Sequence, residues 1–278
     1  MSQLENDIII DYPLLGGTAC SIKYNISYNK VMWISEKYKL RVNSDARLLI
    51  HKNSITKRKI KKTIHSVNEE IFMKNFTKES VYLLGFIWGD GYIRNVGRNF
   101  QICIECVSDD IIALNEVFEK TGKWTFNKRL RVNKIREVTV VSTSNKELVN
   151  FLVENDYKDK SKKTPEKIFN LIPDELKAFF ILGWIDADGC FYWNEKHKLR
   201  QFYLSGSYEQ NWSIFESVLK DLCVDYKIVR VINIKSQYSN IRVTGRTNIF
   251  KIGEYIYNKN IYLKRKYDKY ELIISQLH

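Results

Sequence analysis

Apolar residues concentrate in two stretches of the chain that follow the same pattern. Residues 83–91 read LLGFIWGDG, and residues 181–189 read ILGWIDADG. Thr77 precedes the first stretch and Pro173 precedes the second, and both residue types are common at the start of a helix. The pattern therefore predicts two helices, each of which ends at its Asp-Gly.

Each predicted helix carries small residues four positions apart on one face. These are Gly85 and Gly89 in the first helix, and Gly183 and Ala187 in the second. Residues four apart lie one above the other on a helix, so these stripes would let the two helices approach each other closely.

The chain downstream of each predicted helix repeats one order of elements. Period-two alternation in QICIEC and in RQFYLSG predicts strands, and a helix, two more strands and another helix follow in each copy. The apolar residues that predict the middle helices are Ile112, Leu114, Val117 and Phe118 in the first copy, and Trp212, Phe215, Val218, Leu219 and Leu222 in the second. We therefore predict an α+β fold with a duplicated αββαββα unit, over residues 76–160 and 161–278.

Asp90 and Asp188 close the two predicted helices. A carboxylate at this end of a helix lies near the negative end of the helix dipole, which costs about 0.3 to 1 kcal/mol when the group is exposed. If the helices pack side by side, the two carboxylates also repel each other. A divalent cation such as Mg²⁺ would relieve both costs, because it binds carboxylate oxygens. Matching positions in a repeat favour this interpretation over ordinary helix-ending Asp-Gly pairs.

The composition narrows the class of protein. The chain has 278 residues, 44% of them hydrophobic and only three of them proline, so we expect a compact folded protein. No apolar run reaches about 18 residues and the N-terminus carries acidic residues, which predicts a cytoplasmic protein rather than a membrane or secreted one. We expect the cytoplasm of a bacterial or phage-infected cell, with an organelle as the alternative. The five cysteines are scattered, and Cys103 and Cys106 would face opposite sides of a strand, so neither disulfides nor zinc is expected.

The net charge is strongly positive. Forty-five Lys and Arg residues against thirty-two Asp and Glu residues give +13 and a pI near 9.3. Residues 1–75 hold thirteen of these basic and seven of these acidic residues. The balance indicates a polyanionic partner, with nucleic acid as the leading candidate, although a solvated Lys-rich surface would give the same numbers.

The first 75 residues lie outside the repeat. Residues 1–45 contain a predicted helix around Ala19, a turn at residues 25–27 and a second helix around Ile34. This order predicts a helix-turn-helix, a DNA-binding motif, although any small helical hairpin shows the same pattern. Residues 46–75 contain KNSITKRKIKK and are predicted to be a basic linker that follows phosphates, with an early helix as the alternative for this run. The residues that the second helix would present to DNA are Tyr28, Asn29, Lys30 and Trp33.

The two apolar stretches and their downstream hairpins resemble the LAGLIDADG homing endonucleases, in the single-chain form with two motifs. The resemblance covers residues 76–278. It implies a pseudo-two-fold saddle in which the two motif helices form the interface between the halves. It also implies that the last acid of each motif, Asp90 and Asp188, binds the Mg²⁺ or Mn²⁺ ions of the active site, together with the preceding residues Gly89 and Ala187.

The resemblance further implies that the hairpins form a curved surface in the major groove of double-stranded DNA. The positions of the first half that would contact DNA are Arg94, Arg98, Gln101, Arg129, Arg131, Lys134 and Arg136. Those of the second half are Lys196, Lys198, Arg200, Gln201, Arg230, Lys235, Gln237, Arg242 and Arg246.

A basic residue at the end of the last strand of a repeat also belongs to the family's pattern. Lys146 has that place in the first half, and Asn248 or Arg246 has it in the second. Lys146 is therefore predicted to be catalytic, by lowering the pKa of the attacking water or by stabilising the charged transition state. A solvated lysine in the first turn of a helix is the alternative. The preceding acid of the motif is Asp186 in the second copy but is replaced by Trp88 in the first, so Asp186 is given no catalytic role.

These features predict a monomeric, Mg²⁺-dependent endonuclease that cuts double-stranded DNA at a long, asymmetric site and belongs to a mobile genetic element. Two alternatives stay open. An intron maturase would bind a structured intron RNA on the same scaffold and leave DNA uncut. A transcription regulator would join the helix-turn-helix to a scaffold without catalysis. Loss of either acid would favour the regulator, and both acids are present.

Overall fold

The computed structural model describes residues 2–52, 67–96, 99–130, 137–233, 236–257 and 261–275. The chain forms two compact units, Met1–Ile64 and His65–His278. Each unit has its own hydrophobic core. Within the described ranges, no helix is both long enough and apolar enough to cross a membrane.

The N-terminal unit is helical. Helix α1 (Gln3–Lys23) bends at Gly16, whose φ of 76° and ψ of 171° are not helical. Helix α2 is Tyr28–Lys37, and residues 44–52 form the described part of helix α3. The predicted turn at residues 25–27 separates α1 from α2. The core of this unit consists of Ile8, Tyr12, Cys20, Val31 and Ile34.

The first repeat begins with a capping box. The hydroxyl of Thr77 accepts the backbone N–H of Ser80, and the hydroxyl of Ser80 accepts that of Thr77, so the motif helix starts where the sequence predicts it. In chain order the elements are α4 (Glu70–Met73), α5 (Lys78–Asp90), β1 (Gly91–Val96), β2 (Asn99–Val107), α6 (Ser108–Thr121), β3 (Thr125–Leu130), β4 (Glu137–Thr143) and α7 (Lys146–Glu154).

The second repeat has the same order of elements, followed by one further helix. They are α8 (Glu166–Leu171), α9 (Lys177–Asp188), β5 (Gly189–Asn194), β6 (Leu199–Ser207), α10 (Ser213–Asp221), β7 (Tyr226–Asn233), β8 (Ser236–Thr244), α11 (Arg246–Tyr257) and α12 (Lys264–Ser275). The strand orders, β1-β2-β4-β3 and β5-β6-β8-β7, are equivalent, and all the pairings are antiparallel. The predicted duplication of an αββαββα unit is therefore confirmed.

Each sheet turns one face toward the helices. In β2, Ile102, Ile104 and Cys106 belong to the core, while the alternating Cys103 does not. We call the face that carries Cys103, and its equivalent in the second sheet, the distal face. Paired residues share a face, so the register gives its members: Tyr92, Arg94, Gln101, Cys103, Glu105, Asn127, Arg129, Val138, Val140 and Ser142 in the first sheet, and Tyr192, Gln201, Tyr203, Ser205, Lys227, Val229, Tyr238, Asn240 and Arg242 in the second.

The structure differs from the sequence prediction in three respects. Helices α4, α8 and α12 are additional to the elements of the predicted αββαββα unit. The predicted linker is divided, because residues 46–52 belong to α3 and Glu70–Met73 to α4. Ile112 is 77% exposed, because the buried side of α6 runs through Leu114 and Phe118 instead.

Candidate active site

Helices α5 and α9 are in direct backbone contact. A Cβ atom at Gly85 would lie 2.0 Å from the carbonyl oxygen of Phe180, and one at Gly183 would lie 2.0 Å from the carbonyl oxygen of Tyr82. Only glycine permits such an approach. The contacts are reciprocal, as a two-fold relation between the repeats requires, and the predicted stripes of small residues form the interface.

Both helices lead directly into strands. Gly91 (φ −73°, ψ 156°) and Gly189 (φ −81°, ψ 157°) are extended, so neither is the left-handed glycine that commonly ends a helix. A Cβ atom at these positions would lie 2.5 Å from the carbonyl oxygen of Ile87 and 2.6 Å from that of Ile185. Glycine therefore lets each strand leave close to the last turn of its helix, just after the acid.

Asp90 and Asp188 come together at this end of the helix pair. Oδ2 of Asp188 would be 2.9 Å from a Cβ atom at Gly89, so the carboxylate of Asp188 reaches the last turn of α5. Burial and the charge of Asp90 raise the pKa of Asp188 to about 7. Burial also raises the pKa of Asp90, although the residue is exposed to solvent, and the charges of Lys266, Lys160 and Arg265 oppose that shift. Both shifts arise first from burial, and the charge of Asp90 adds to the shift of Asp188.

Lys160 caps the C-terminal end of α5. It follows a 3-10 turn at Tyr157–Asp159. Its Nζ donates to the carbonyl oxygens of Trp88, Gly89 and Gly91, at 2.9, 2.6 and 2.6 Å. Burial lowers the pKa of Lys160 to about 8, while Asp188 and Asp90 oppose the shift. The ammonium group thus satisfies helix carbonyls and places positive charge beside the carboxylates.

Lys266 on α12 has the same role at the end of α9. Its Nζ donates to the carbonyl oxygens of Ile185, Asp186 and Ala187, at 2.8, 2.6 and 3.3 Å. Lys266 is buried, which lowers its pKa, and the charges of three nearby aspartates oppose that shift. Each repeat therefore brings one lysine to the end of its own motif helix.

Neither lysine was predicted from the sequence. The predicted basic residue, Lys146, is the exposed first residue of α7, and the structure does not place it in this group. A signal for the other two was present, because a Lys-x-Lys pair follows the last strand–helix unit of each repeat: residues 158–160 and residues 264–266. In the second half, Nε of Arg246 donates to the carbonyl oxygen of Ile274 at 2.9 Å, and Asn248 donates to that of Thr244.

A cavity of about 390 Å³ opens beside Asp188. Lys160, Asp188, Ser205, Ser207 and Gln210 contribute polar groups to its wall. A positive charge, a carboxylate and neutral hydrogen-bonding groups around one space suit a phosphate group or a hydrated cation.

The positions of the first repeat that correspond to this cavity wall carry residues of a different type. The equivalent strand registers place Glu105 where the second repeat has Ser205. Three residues after β2, Asp110 accepts two hydrogen bonds from Arg265, each of 2.8 Å. Arg265 and Lys266 lie on α12, so this helix of the second repeat is tied to α6 of the first. The two carboxylates therefore have unlike surroundings.

Asp186 is a buried hydrogen-bond acceptor and does not open onto the cavity. Its Oδ2 accepts from the hydroxyl of Tyr82 at 2.8 Å and from the backbone N–H of Leu263 at 2.9 Å. Burial raises the pKa of Asp186 to about 6. The equivalent Trp88 packs edge-on against Tyr157. Asp186 thus positions the start of α12, in agreement with the lack of a catalytic assignment from the sequence.

The donor groups at Asp90 and Asp188 fit a divalent cation that prefers oxygen ligands. Mg²⁺ commonly takes one or two carboxylates and completes its shell with water and phosphate oxygens. Burial and the charge of Asp90 raise the pKa of Asp188, and a bound cation would neutralise that charge. The described residues contain no cluster of three or more His, Cys, Asp and Glu that could form a full protein cage. The carbonyl oxygens of Gly89 and Ala187, the other predicted ligands, accept from Lys160 and Lys266.

The register divides the predicted DNA-contacting residues between the two sheet faces. Arg94, Gln101, Arg129, Gln201 and Arg242 lie on the distal faces. Arg94 donates to Gln101 at 2.7 Å, and Arg129 pairs with Glu105. The sequence-based choice missed several residues that share these faces, which are Tyr203, Lys227 and Asn240.

Arg200 and Arg230 belong to the opposite face, so the register separates them from the other predicted DNA-contacting residues of the strands. The guanidinium of Arg200 lies 4.6 Å from the ring of Trp193, and Arg230 donates to the carbonyl oxygen of Gln210 at 3.3 Å. A shift of one residue in a strand moves a side chain to the other face of the sheet. Alternation along a single strand does not determine how that strand pairs with its neighbours, so the sequence alone did not predict the face of these two residues.

The remaining predicted contacts are at turns or in the N-terminal unit. Lys196 and Lys198 are exposed in the turn between β5 and β6, and Gln237 is exposed near the start of β8. Tyr28, Asn29 and Lys30 are exposed in the first turn of α2. The predicted residues that lie outside the described part of the chain are Arg98, Arg131, Lys134, Arg136 and Lys235.

No protein-family model matches this sequence, and no curated protein matches it. Among solved structures, the chain is similar to the homing endonuclease I-WcaI bound to its DNA recognition sequence, with a TM-score of 0.49, 20% identity, and coverage of 71% of this chain and 90% of that chain. It is also similar to the LAGLIDADG homing endonuclease I-LtrWI bound to target DNA, with a TM-score of 0.45, 16% identity, and coverage of 71% and 89%. Mesophilic variants of the homing endonuclease I-DmoI give a TM-score of 0.44, 19% identity, and coverage of 66% and 97%.

Proposed function

We propose that the chain is a divalent-metal-dependent endonuclease of the LAGLIDADG type, which cuts double-stranded DNA at a specific, long and asymmetric site. The observation that carries this proposal is the meeting of Asp90 and Asp188, one from each repeat, at the ends of two helices in backbone contact. Each acid leads directly into a sheet whose distal face carries Arg, Gln and Asn side chains. One molecule can therefore hold base-reading groups and phosphate-cleaving groups in a fixed relation.

The chemistry assigned to these residues is hydrolysis of a phosphodiester on each strand. Asp90 and Asp188 hold the metal ions, for which we propose Mg²⁺ with Mn²⁺ as a substitute. When bound, such ions polarise the phosphate and lower the pKa of an attacking water. Lys160 and Lys266 keep positive charge at the helix ends, where it offsets the negative charge that develops on the phosphate oxygens.

Cleavage of a selected target tests the proposal. Full-length protein is incubated with a randomised duplex library and Mg²⁺, and the cut molecules are sequenced. On the selected target, Asp90→Asn and Asp188→Asn should each abolish double-strand cleavage and retain binding in Ca²⁺, because base and phosphate contacts come from other residues. Asp174→Asn is the matched control, because the Asp174 side chain is 91% exposed. Full cleavage by either active-site variant would refute the assignment.

Metal binding can be measured without DNA. Trp88 and Trp184 line the cavity beside Asp188, so tryptophan-sensitised Tb³⁺ luminescence reports an ion held there. Mg²⁺ or Mn²⁺ should displace the signal, and Asp188→Asn should lose it while Asp174→Asn keeps it. A protein that binds a structured RNA tightly and leaves every duplex uncut would instead be a maturase.

A further inference from the structure

The N-terminal unit presents one face of α2 that has no role in the proposed active site. We propose that this face enters the major groove of duplex DNA and reads a second segment of the target. The inference rests on the proposed function in that both use duplex DNA as the partner. Its observations, however, come from the N-terminal unit alone.

The bend at Gly16 divides α1 into two helical segments, which precede α2 in this unit. Gly16 has φ of +76°, which favours glycine, and it separates a longer first segment from a short second segment that ends at Lys23. A Cβ atom at Gly17 would lie 3.0 Å from the ring of Tyr28 and 3.2 Å from the sulfur of Met32, so α2 crosses the short segment at its start. The arrangement is a short helix, a tight turn and a crossing second helix.

Local hydrogen bonds fix the turn between these helices. The N–H of Tyr24 donates to the carbonyl oxygen of Cys20 and closes α1. Asn25 takes a left-handed conformation, with φ of 50°, and the hydroxyl of Ser27 accepts the N–H of Lys30 to begin α2. Residues 24–27 thus form a four-residue turn of the length found in helix-turn-helix motifs.

Helix α2 has one buried face and one exposed face. Val31 and Ile34 are buried in the core of the unit. Asn29 and Trp33, one turn apart, lie on the exposed face, and Trp33 is 54% exposed. Tyr28 is 50% exposed at the first helical position. The outward face therefore combines the amide of Asn29 with the ring of Trp33, and it is bordered by the half-exposed ring of Tyr28, which also packs at Gly17.

These residue types suit the groove edges of DNA bases. An Asn side chain can form two hydrogen bonds with adenine, and an apolar ring can pack on the methyl group of thymine. Helix-turn-helix proteins place the first residues of their second helix against the bases. Asn29 is therefore the base-reading residue, Trp33 and Tyr28 are its apolar neighbours, and an A·T pair is the expected contact.

Charge complementarity points to the same partner. Residues 1–64 contain twelve Lys and Arg against five Asp and Glu. Two of the acids are compensated within the unit, because Glu5 pairs with Lys37 and Asp11 pairs with Lys23. Exposed basic residues remain at Lys30, at Arg41 and at Arg47. Such a surface is attracted to the phosphates that border a groove.

The test compares the sites selected by the full-length protein and its α2 variants. Binding is selected in Ca²⁺ from a duplex library randomised over more base pairs than the two sheets can cover. Wild-type protein should select two separated segments, one read by the sheets and one read by α2. The double variant Asn29→Ala with Trp33→Ala should lose only the segment read by α2, and it should bind the wild-type target about 10- to 100-fold more weakly. Lys30→Ala should weaken binding to all sequences. It should also reduce the slope of log K against log salt concentration by about one. Lys220→Ala, which removes the same charge from an exposed position of α10, controls for general attraction and should leave the selected segments unchanged.

The outcomes separate this inference from the proposed function. If the α2 variants select the same two segments with unchanged affinity, the inference fails and the endonuclease proposal stands. If selection at every base pair of the target changes only in Arg94→Ala and Gln101→Ala, and not in the α2 variants, the inference also fails and the endonuclease proposal stands. If α2 variants change sedimentation of the free protein and leave DNA binding unaltered, the face is a self-association surface. If the wild type binds no duplex, both proposals fail. Circular dichroism melts of the variants should match the wild type, because the substituted side chains are exposed.

Discussion

At the scale of single residues, Asp188 is the group on which burial and the charges of the site act together. It is half-buried, it ends a helix, and the charge of Asp90 acts on it, while Lys160 and Lys266 compensate only in part. Without a divalent ion these effects favour the protonated carboxyl, which is why the pKa rises to about 7. The same imbalance that suits metal binding should therefore lower the stability of the metal-free protein.

We predict that Asp188 makes the metal-free protein less stable as the pH rises from about 4 to about 7. In this range the folded protein retains a proton that the unfolded chain has released, so the free energy of unfolding falls with increasing pH. The contribution is roughly 2 to 4 kcal/mol across the range. Urea unfolding in EDTA, at a series of pH values, should show wild type losing this amount relative to Asp188→Asn. Equal pH dependence of the two proteins, with Asp174→Asn as control, would contradict the prediction.

A second residue-scale prediction concerns the glycines of the helix pair. Gly85→Ala or Gly183→Ala would force a Cβ atom against a carbonyl oxygen of the other helix, so the helices must separate. We expect a loss of about 1 to 3 kcal/mol or more in the free energy of unfolding, together with weaker Tb³⁺ binding because the carboxylates move apart. Ser217→Ala, an exposed substitution in α10, should change neither quantity. An unchanged melting temperature for both glycine variants would show that the interface is looser than described.

At the scale of elements, the sequence predicts those features that depend on residues close together in the chain. The capping box at Thr77, the Asp-Gly ends and the duplicated order of strands and helices were all predictable, because each depends on residues near in the chain. Lys160 and Lys266 were not, because their positions depend on how the segment after the last helix of each repeat returns to the motif helix. The sheet face of Arg200 was missed for a related reason, since register is set by pairing with distant strands.

Helix α12 provides an element-scale prediction. Arg265 ties α12 to α6 through two hydrogen bonds to Asp110, whose side chain is only 7% exposed. Arg265→Ala would leave that carboxylate without its main partner, and we expect a cost of roughly 1 to 2 kcal/mol, discounted because Arg265 is half exposed. Hydrogen exchange of the amides in α12 should speed up. Lys264→Ala breaks only the exposed pair with Asp268 and should leave the exchange rates of α12 nearly unchanged. Equal exchange in both variants would show that Arg265 does not hold the helix.

At the scale of the whole molecule, the duplication has kept the backbone and changed the chemistry. Two serines and a cavity lie beside Asp188, whereas Arg265 and Asp110 add to the charges that act on Asp90; Lys160 and Lys266 act on both carboxylates. The central strands differ as well, because Val138 and Val140 of β4 stand where β8 has Tyr238 and Asn240. A single chain of this kind presents two unlike surfaces, so a palindromic target would be read correctly by only one of them.

We predict that the two DNA strands are cut at different rates by one molecule of the protein. On a selected target labelled on each strand, a nicked intermediate should accumulate, because the two carboxylates work in different surroundings. Lys160→Met should slow one strand and Lys266→Met the other, each by at least about tenfold, since each lysine serves one helix end. Lys146→Ala distinguishes the sequence-based assignment from the structural one: if it slows a strand as much as Lys160→Met does, the predicted role of Lys146 is correct. Sedimentation should show one chain for each duplex, and two chains at a cut site, or equal strand rates in all four proteins, would overturn the model of two unequal half-sites in a single chain.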